Sequence, residues 1–178
     1  MRLVPWTPDD VARRLDDVIE VYGQAMGYHG DLLEARRGYV ATHVRRPGFR
    51  AVATIATDGH LLGFGYGYRS APGQWWHDQV RAALRREQRT AWLADCFEVV
   101  ELHVRPGAQG HGLGASQLRT LLYLTTAQTT LLSTPEADET ASRAWRLYRR
   151  FSFVDLLRNF YFPGDERAFA ILGRQLPL

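Results

Sequence analysis

Lysine is absent from this sequence, asparagine occurs once, and cysteine occurs once, at Cys96. All 22 positive side chains are therefore arginine. An arginine-only complement with few Ile and Asn residues is what a GC-rich coding sequence produces. An acyl-donor enzyme sparing its own amines is the alternative, and nothing in the residues favours it. The missing lysine excludes the GxxxxGK[ST] nucleotide loop outright. A lone cysteine excludes an internal disulfide and paired CxxC metal ligands, so no metal is expected. No apolar run reaches eighteen residues, and the opening MRLVPWTPDD lacks a signal-peptide core; the expectation is a cytoplasmic protein without a membrane partner. A net charge of +3 over 178 residues leaves no basic surface to predict nucleic acid.

What is present suffices for a core: 46% hydrophobic and 12% aromatic residues over a length that suits a single domain, 1–178. Thr7-Pro8-Asp9-Asp10 reads as an N-cap, a first-turn proline and acids facing the helix dipole. Val11, Leu15, Val18, Tyr22 and Met26 then recur at helical spacing, and a second helix is expected over residues 31–46. Residues 50–57 and 60–68 predict two strands around the Asp58-Gly59 hairpin turn. A helix over 77–89 falls in a tryptophan-rich stretch, 71–95, holding Trp75, Trp76 and Trp92. Residues 97–104, FEVVELHV, are β-branched and apolar enough for a central strand. Helices over 113–127 and 140–151 alternate with strands near 129–134, 153–162 and 167–172. The fold class is α/β (α+β): a mixed, mostly antiparallel central sheet flanked by helices, with an inserted helical segment at 71–95.

The most informative stretch runs from Val104 to Ala115, VRPGAQGHGLGA, between the buried strand and a helix. Its glycines let the chain turn tightly and bring successive N–H groups near an oxyanion. The unpaired amides and positive dipole end of the next helix favour a phosphate or pyrophosphate there. Gly110-x-Gly112-x-x-Ala115 also satisfies the dinucleotide fingerprint, with Glu136 near the place of its ribose-binding acid. Against that stand the five residues separating Val104 from Gly110 and the short remainder after Glu136. A purely structural glycine turn is the third reading.

Gln109-x-x-Gly112-x-Gly114, following Val104-x-Pro106, resembles the acetyl-CoA motif [Q/R]xxGx[G/A] of the GNAT superfamily of N-acetyltransferases. Leu147-Tyr148-Arg149-Arg150-Phe151-Ser152-Phe153 resembles that family's LYxxxGF segment, with Ser152 in place of the glycine. The likeness covers roughly 97–173, and the earlier helix–helix–hairpin order agrees with it. It implies a GNAT-like domain using acetyl-CoA as co-substrate.

Carried over residue by residue, the likeness has backbone groups of Leu102, His103 and Val104 pairing with the pantetheine arm as an added strand. The pyrophosphate would rest on the N–H groups of Gly110, His111, Gly112, Leu113, Gly114 and Ala115, with Gln109 supporting the loop. His111 stands where relatives often have a cation; a plain surface histidine is the other reading. The amine must shed a proton before attacking the thioester. Glu98 matches the base position of several relatives; Glu101, on the other face of the strand, is the second candidate. Each has an alternative as a solvated or arginine-paired carboxylate. The resemblance gives Leu102 N–H the oxyanion and Tyr148 the protonation of the departing sulfur. An asparagine common seven residues before that tyrosine is Ala141 here, with Thr140 and Ser142 beside it.

The acceptor is expected to be a primary amine on a small molecule, peptide or protein, lined by Tyr22, Tyr28 and His29. The tryptophans of 71–95 either form a lid over it or pack the insertion onto the sheet. Relatives are often dimers, so a homodimer is open. A non-catalytic acyl-CoA sensor of the same fold and a dinucleotide-dependent oxidoreductase are the competing functions.

Overall fold

Thr7 opens the helical region as its neighbours predict. Its hydroxyl accepts the Asp10 N–H at 3.1 Å while the Asp10 carboxylate accepts the Thr7 N–H at 2.9 Å, a reciprocal cap. The computed structural model describes all 178 residues. They form β1 (Arg2–Trp6), α1 (Pro8–Arg13), α2 (Leu15–Met26), α3 (Asp31–His43), β2 (Arg50–Ile55), β3 (Leu61–Arg69), α4 (Trp75–Ala83) and α5 (Arg86–Leu93). There follow β4 (Cys96–Val104), a 3-10 turn at Pro106–Ala108, α6 (Leu113–Leu124), β5 (Thr129–Pro135), α7 (Arg143–Arg150), β6 (Val154–Phe160) and β7 (Phe169–Gln175).

The strand order is β1-β2-β3-β4-β5-β7-β6. Pairing is antiparallel in β1–β2, β2–β3, β5–β7 and β6–β7 and parallel in β4–β5, which is the mixed, mostly antiparallel sheet expected. The chain divides into two compact units, Met1–Tyr68 with Val99–Thr126, and Arg69–Glu98 with Ala127–Leu178. β4 contributes residues to both.

In the first unit, Val18, Ile19, Val21 and Tyr22 of α2 and Val40 of α3 share a core with Ala51, Ala53 and Ile55 of β2 and Phe64, Tyr66 and Tyr68 of β3. α6 buries Leu118, Leu121 and Gln117, whose Nε2 donates to Thr54 Oγ1 at 3.0 Å. β1 escaped the pattern reading because Pro5 interrupts it; Pro5 stands opposite Val52 on an outer strand, where a missing N–H is tolerated. The single helix expected from residue 11 to 26 is two, broken at Arg14, whose guanidinium reaches Asp17 and the Gly59 carbonyl.

In the second unit, Trp76, Val80, Leu84 and Leu93 pack with Cys96, Leu131, Phe162 and Ile171. The expected helix over 77–89 is likewise two, because Leu84 and Arg85 are extended (ψ 145° and 157°) and Leu84 turns inward, 1% exposed. Trp76 is 8% exposed and donates its indole N–H to Ser133 Oγ at 3.2 Å, and Trp92 packs against the same core. The tryptophans thus pack the insertion onto the sheet; Trp75 alone is largely exposed, with its ring 5.3 Å from that of Phe162. Trp76→Phe is expected to cost about 1–2 kcal/mol in urea unfolding, for the lost hydrogen bond and the smaller ring. No helix is long and apolar enough to cross a membrane.

Candidate acetyl-CoA site and its β4 neighbours

The glycine-rich turn sits where the sequence puts it. Gly110 and Gly112 have φ of 85° and 77°, the left-handed region open to glycine at little cost. Gly112 is the N-cap of α6 and offers no side chain to satisfy the helix. The first amide bonded along the helix is that of Ser116, which donates to the Gly112 carbonyl at 3.0 Å. The amides of Leu113, Gly114 and Ala115 therefore lack helical acceptors, and the dipole end is open. A Cβ built at Gly110 or Gly112 would meet nothing within 4 Å, so a ligand has room against the backbone. This cradle fits a diphosphate.

Side chains hold the turn in place. Gln109 Nε2 donates to the Val104 carbonyl at 3.0 Å, bridging the turn to the strand end. Arg105 grips Glu20 with both terminal nitrogens, at 2.9 and 3.1 Å, while its Nε donates to the Leu61 carbonyl at 2.6 Å. That guanidinium holds the Glu20 carboxyl below its ordinary range. His111 is exposed, its Nδ1 3.4 Å from the Ala108 carbonyl.

β4 supplies the next layer. Its parallel ladder with β5 runs only from Cys96↔Thr129 to Glu98↔Leu131, while the strand continues to Val104. Leu102, His103 and Val104 follow at its end, each half-buried. Glu101 is buried, and its two oxygens have different partners: Oε1 accepts from Arg36 NH1 at 2.7 Å, and Oε2 lies 2.5 Å from His103 Nε2. Burial pushes the Glu101 carboxyl upward, but the His103 hydrogen bond and charge, with Arg36 and His43, leave it below the ordinary value. Tyr22 stacks its edge on the His103 ring at 5.2 Å, and Arg36 lies 4.7 Å over the Tyr22 ring. Tyr28 is tilted against Tyr22 at 5.9 Å, whereas His29 is exposed. His43, hydrogen-bonded to the Tyr66 hydroxyl at 3.1 Å, is driven to a pKa of about 4 by burial and then by Arg46.

The first unit thus joins Glu101, the Leu102–Val104 strand end, Tyr22, Tyr28 and the turn from Gln109 to Ala115. Glu98 and Tyr148 belong to the second unit; Glu98 is 4% exposed and Tyr148 9%. α7 begins at Arg143 rather than near 140 because the Ser142 hydroxyl caps it, accepting the Trp145 N–H at 3.3 Å. Ser142 and Thr140, which bonds Asp138, are engaged locally, and Ala141 is exposed. The C-terminal end of α7 explains the glycine of the family segment. Ser152 has φ of 57°, its N–H donates to Arg149 O at 2.9 Å, and the Phe153 N–H donates to Tyr148 O at 3.1 Å. This is the Schellman cap, completed by the Phe153 and Tyr148 rings at 5.8 Å. Ser152→Gly is expected to raise the unfolding free energy by about 1 kcal/mol, read from chemical denaturation.

Arg36 and His43 were not among the candidates from sequence. The signal was available: with Leu33 and Val40 they fall at helical spacing on the inward face of α3, where a charged side chain needs a partner. Glu136, the ribose-binding candidate of the dinucleotide reading, is held by Arg158 at 2.9 and 2.7 Å. That ion pair and the antiparallel strands remove the oxidoreductase reading.

No family model matches the chain. It is 41% identical to the GCN5-like protein acetyltransferase Rv2170 of Mycobacterium tuberculosis, covering 99% of this chain and 98% of that protein. The chain therefore belongs to the GCN5-like, or GNAT, family and is an acetyl-CoA-dependent N-acetyltransferase. Among solved structures, an acetyltransferase of the GNAT family from Desulfovibrio desulfuricans superposes with a TM-score of 0.66 at 15% identity, covering 98% of this chain and 99% of that one. An aminoglycoside 6'-N-acetyltransferase complexed with coenzyme A gives a TM-score of 0.67 at 12% identity, covering 100% and 99%. These two likenesses are of fold.

Proposed function

We propose that this protein is a cytoplasmic enzyme that moves an acetyl group from acetyl-CoA to a primary amine by direct attack, the whole of 1–178 serving as one N-acetyltransferase domain. The observation that carries the reading is the open amide cradle at the start of α6, with Gly110 and Gly112 both left-handed. The N–H groups from Gly110 to Ala115 hold the diphosphate, and Gln109 keeps the turn against the strand end. Backbone groups of Leu102, His103 and Val104 pair with the pantetheine arm where β4 has run past its last β5 pair.

The chemistry is what the family resemblance implies for these residues. A neutral amine attacks the thioester carbon, the Leu102 N–H donates to the developing oxyanion, and the Tyr148 phenol gives its proton to the sulfur as the C–S bond breaks. For deprotonation, Glu98 and Glu101 of β4 are alternative candidates rather than a pair, and Glu98 is the one that matches the family's base position. The relative's name, a protein acetyltransferase, makes lysine side chains and peptide N-termini the first acceptors to try. Thiol release from acetyl-CoA, followed with a panel of such amines, tests the reading. Tyr148→Phe is expected to lower kcat roughly a hundredfold with little change in coenzyme A affinity. Tight acetyl-CoA binding with no transfer to any amine would favour a sensor instead.

A further inference from the structure

The pair formed by Glu101 and His103 has a consequence for deprotonation. We propose that His103 takes the proton from the acceptor amine, with Glu101 and Arg36 as positioning residues that fix its tautomer. The inference rests on the amine-acetylation reading above.

An ionised carboxylate can only accept, so with Oε2 at 2.5 Å the His103 Nε2 must carry the hydrogen. In the neutral ring the lone pair then lies on Nδ1. That atom makes no hydrogen bond within the chain and is not among the buried unpartnered atoms. The ring cannot turn freely. Tyr22 meets it edge-on at 5.2 Å and 87°, and Phe64 lies 5.6 Å away. Arg36 holds the other Glu101 oxygen at 2.7 Å, keeping the carboxylate anionic and aimed. The arrangement is that of an imidazole base oriented by a carboxylate.

Glu101 itself is badly placed for the task. Both its oxygens are engaged, and the ion pair with Arg36 stabilises the charged form, which weakens it as a base. His103 adjoins Leu102, the residue proposed to take the oxyanion on its N–H, and its ring meets that of Tyr22, one of the residues expected to line the acceptor. Glu98, five residues before His103, alternates to the opposite face of β4.

The step balances as follows. One N–H proton of the ammonium passes to His103 Nδ1, directly or through a water, and the freed lone pair forms the C–N bond. The nitrogen loses its second proton as the adduct collapses, the C–S bond breaks, and the sulfur keeps the electron pair and gains a proton. His103 returns its proton to solvent. Ammonium and thioester become amide, thiol and one proton.

Two peptide acceptors separate this role from a structural one: a lysine peptide, and the same peptide with a hydrazide replacing the side-chain amine. Lysine, with a pKa of roughly 10.4, needs a base; a hydrazide is already neutral at pH 7. His103→Gln keeps a donor for Glu101 but has no basic nitrogen. It is expected to lower kcat/KM for the lysine peptide by about a hundredfold or more, and for the hydrazide by less than about threefold. Coenzyme A affinity, by calorimetry, should be unchanged. Glu101→Gln should show the same selectivity, and nitrogen NMR of the wild type should find the neutral ring protonated on Nε2. Equal loss with both peptides, an Nδ1-protonated ring, or selective loss in Glu98→Gln but not His103→Gln would overturn the proposal. Wild-type enzyme that binds coenzyme A yet acetylates neither peptide refutes the amine-acetylation reading itself, and this inference with it.

Discussion

Valine at position 112 is expected to weaken coenzyme A binding by about a thousandfold while leaving most of the stability intact. Gly112 holds φ of 77°, a conformation that a β-branched residue avoids. To relieve the strain the backbone must rotate, and the peptide groups around it turn with it. The amides of Leu113, Gly114 and Ala115 would then no longer converge on one point. Charge-assisted hydrogen bonds are worth roughly 1.5–3 kcal/mol each, so two or three lost together give about that factor. The new side chain also projects into the space left open beside the turn. Gly112 is exposed, so the cost to folding should stay near 1–2 kcal/mol. Asparagine tolerates the left-handed region better and should fall between glycine and valine. Titration calorimetry of the three proteins checks the order.

Replacing Arg36 by methionine is the largest stability change expected, about 3–5 kcal/mol in urea unfolding at pH 7. The substitution fills similar space but leaves the Glu101 carboxylate buried with His103 as its remaining partner. The loss has a pH signature. The folded-state pKa of Glu101 lies below the ordinary value, so its interactions add stability above the unfolded pKa of about 4.3, and that stability fades as the pH falls through the folded value. Without Arg36 the carboxyl protonates more readily. The gap between the two proteins should therefore narrow below about pH 4.5. A constant gap from pH 7 to pH 4 would mean that packing of Arg36 on Tyr22 and Tyr39, not its charge, carries the effect.

Much of this was readable in the residues because the informative features are local. The glycine turn, the β4 strand, the Asp58-Gly59 hairpin and the Thr7 cap each depend on a few adjacent side chains. The elements misread were those decided by tertiary packing. Arg14 and Leu84 break helices whose apolar spacing is continuous, since a distant carbonyl holds the Arg14 guanidinium and a core position rewards the extended Leu84. β1 was missed because five residues with a proline carry little strand pattern until β2 pairs with them. The LYxxxGF segment shows the same limit differently: in sequence Ser152 is only a replaced glycine, and the backbone reveals a left-handed cap. Glu101 lay in plain view as a candidate, but its partners Arg36 and His43 sit 65 and 58 residues earlier in the chain.

The most direct measurement is amide NMR of the uniformly labelled protein during titration with coenzyme A and, separately, pantetheine. The account predicts that coenzyme A shifts the N–H signals of Gly110, Gly112, Leu113, Gly114 and Ala115 more than any others, and that pantetheine, lacking the diphosphate, leaves them nearly unmoved. Coenzyme A that binds without disturbing those amides, or does not bind at all, would contradict it.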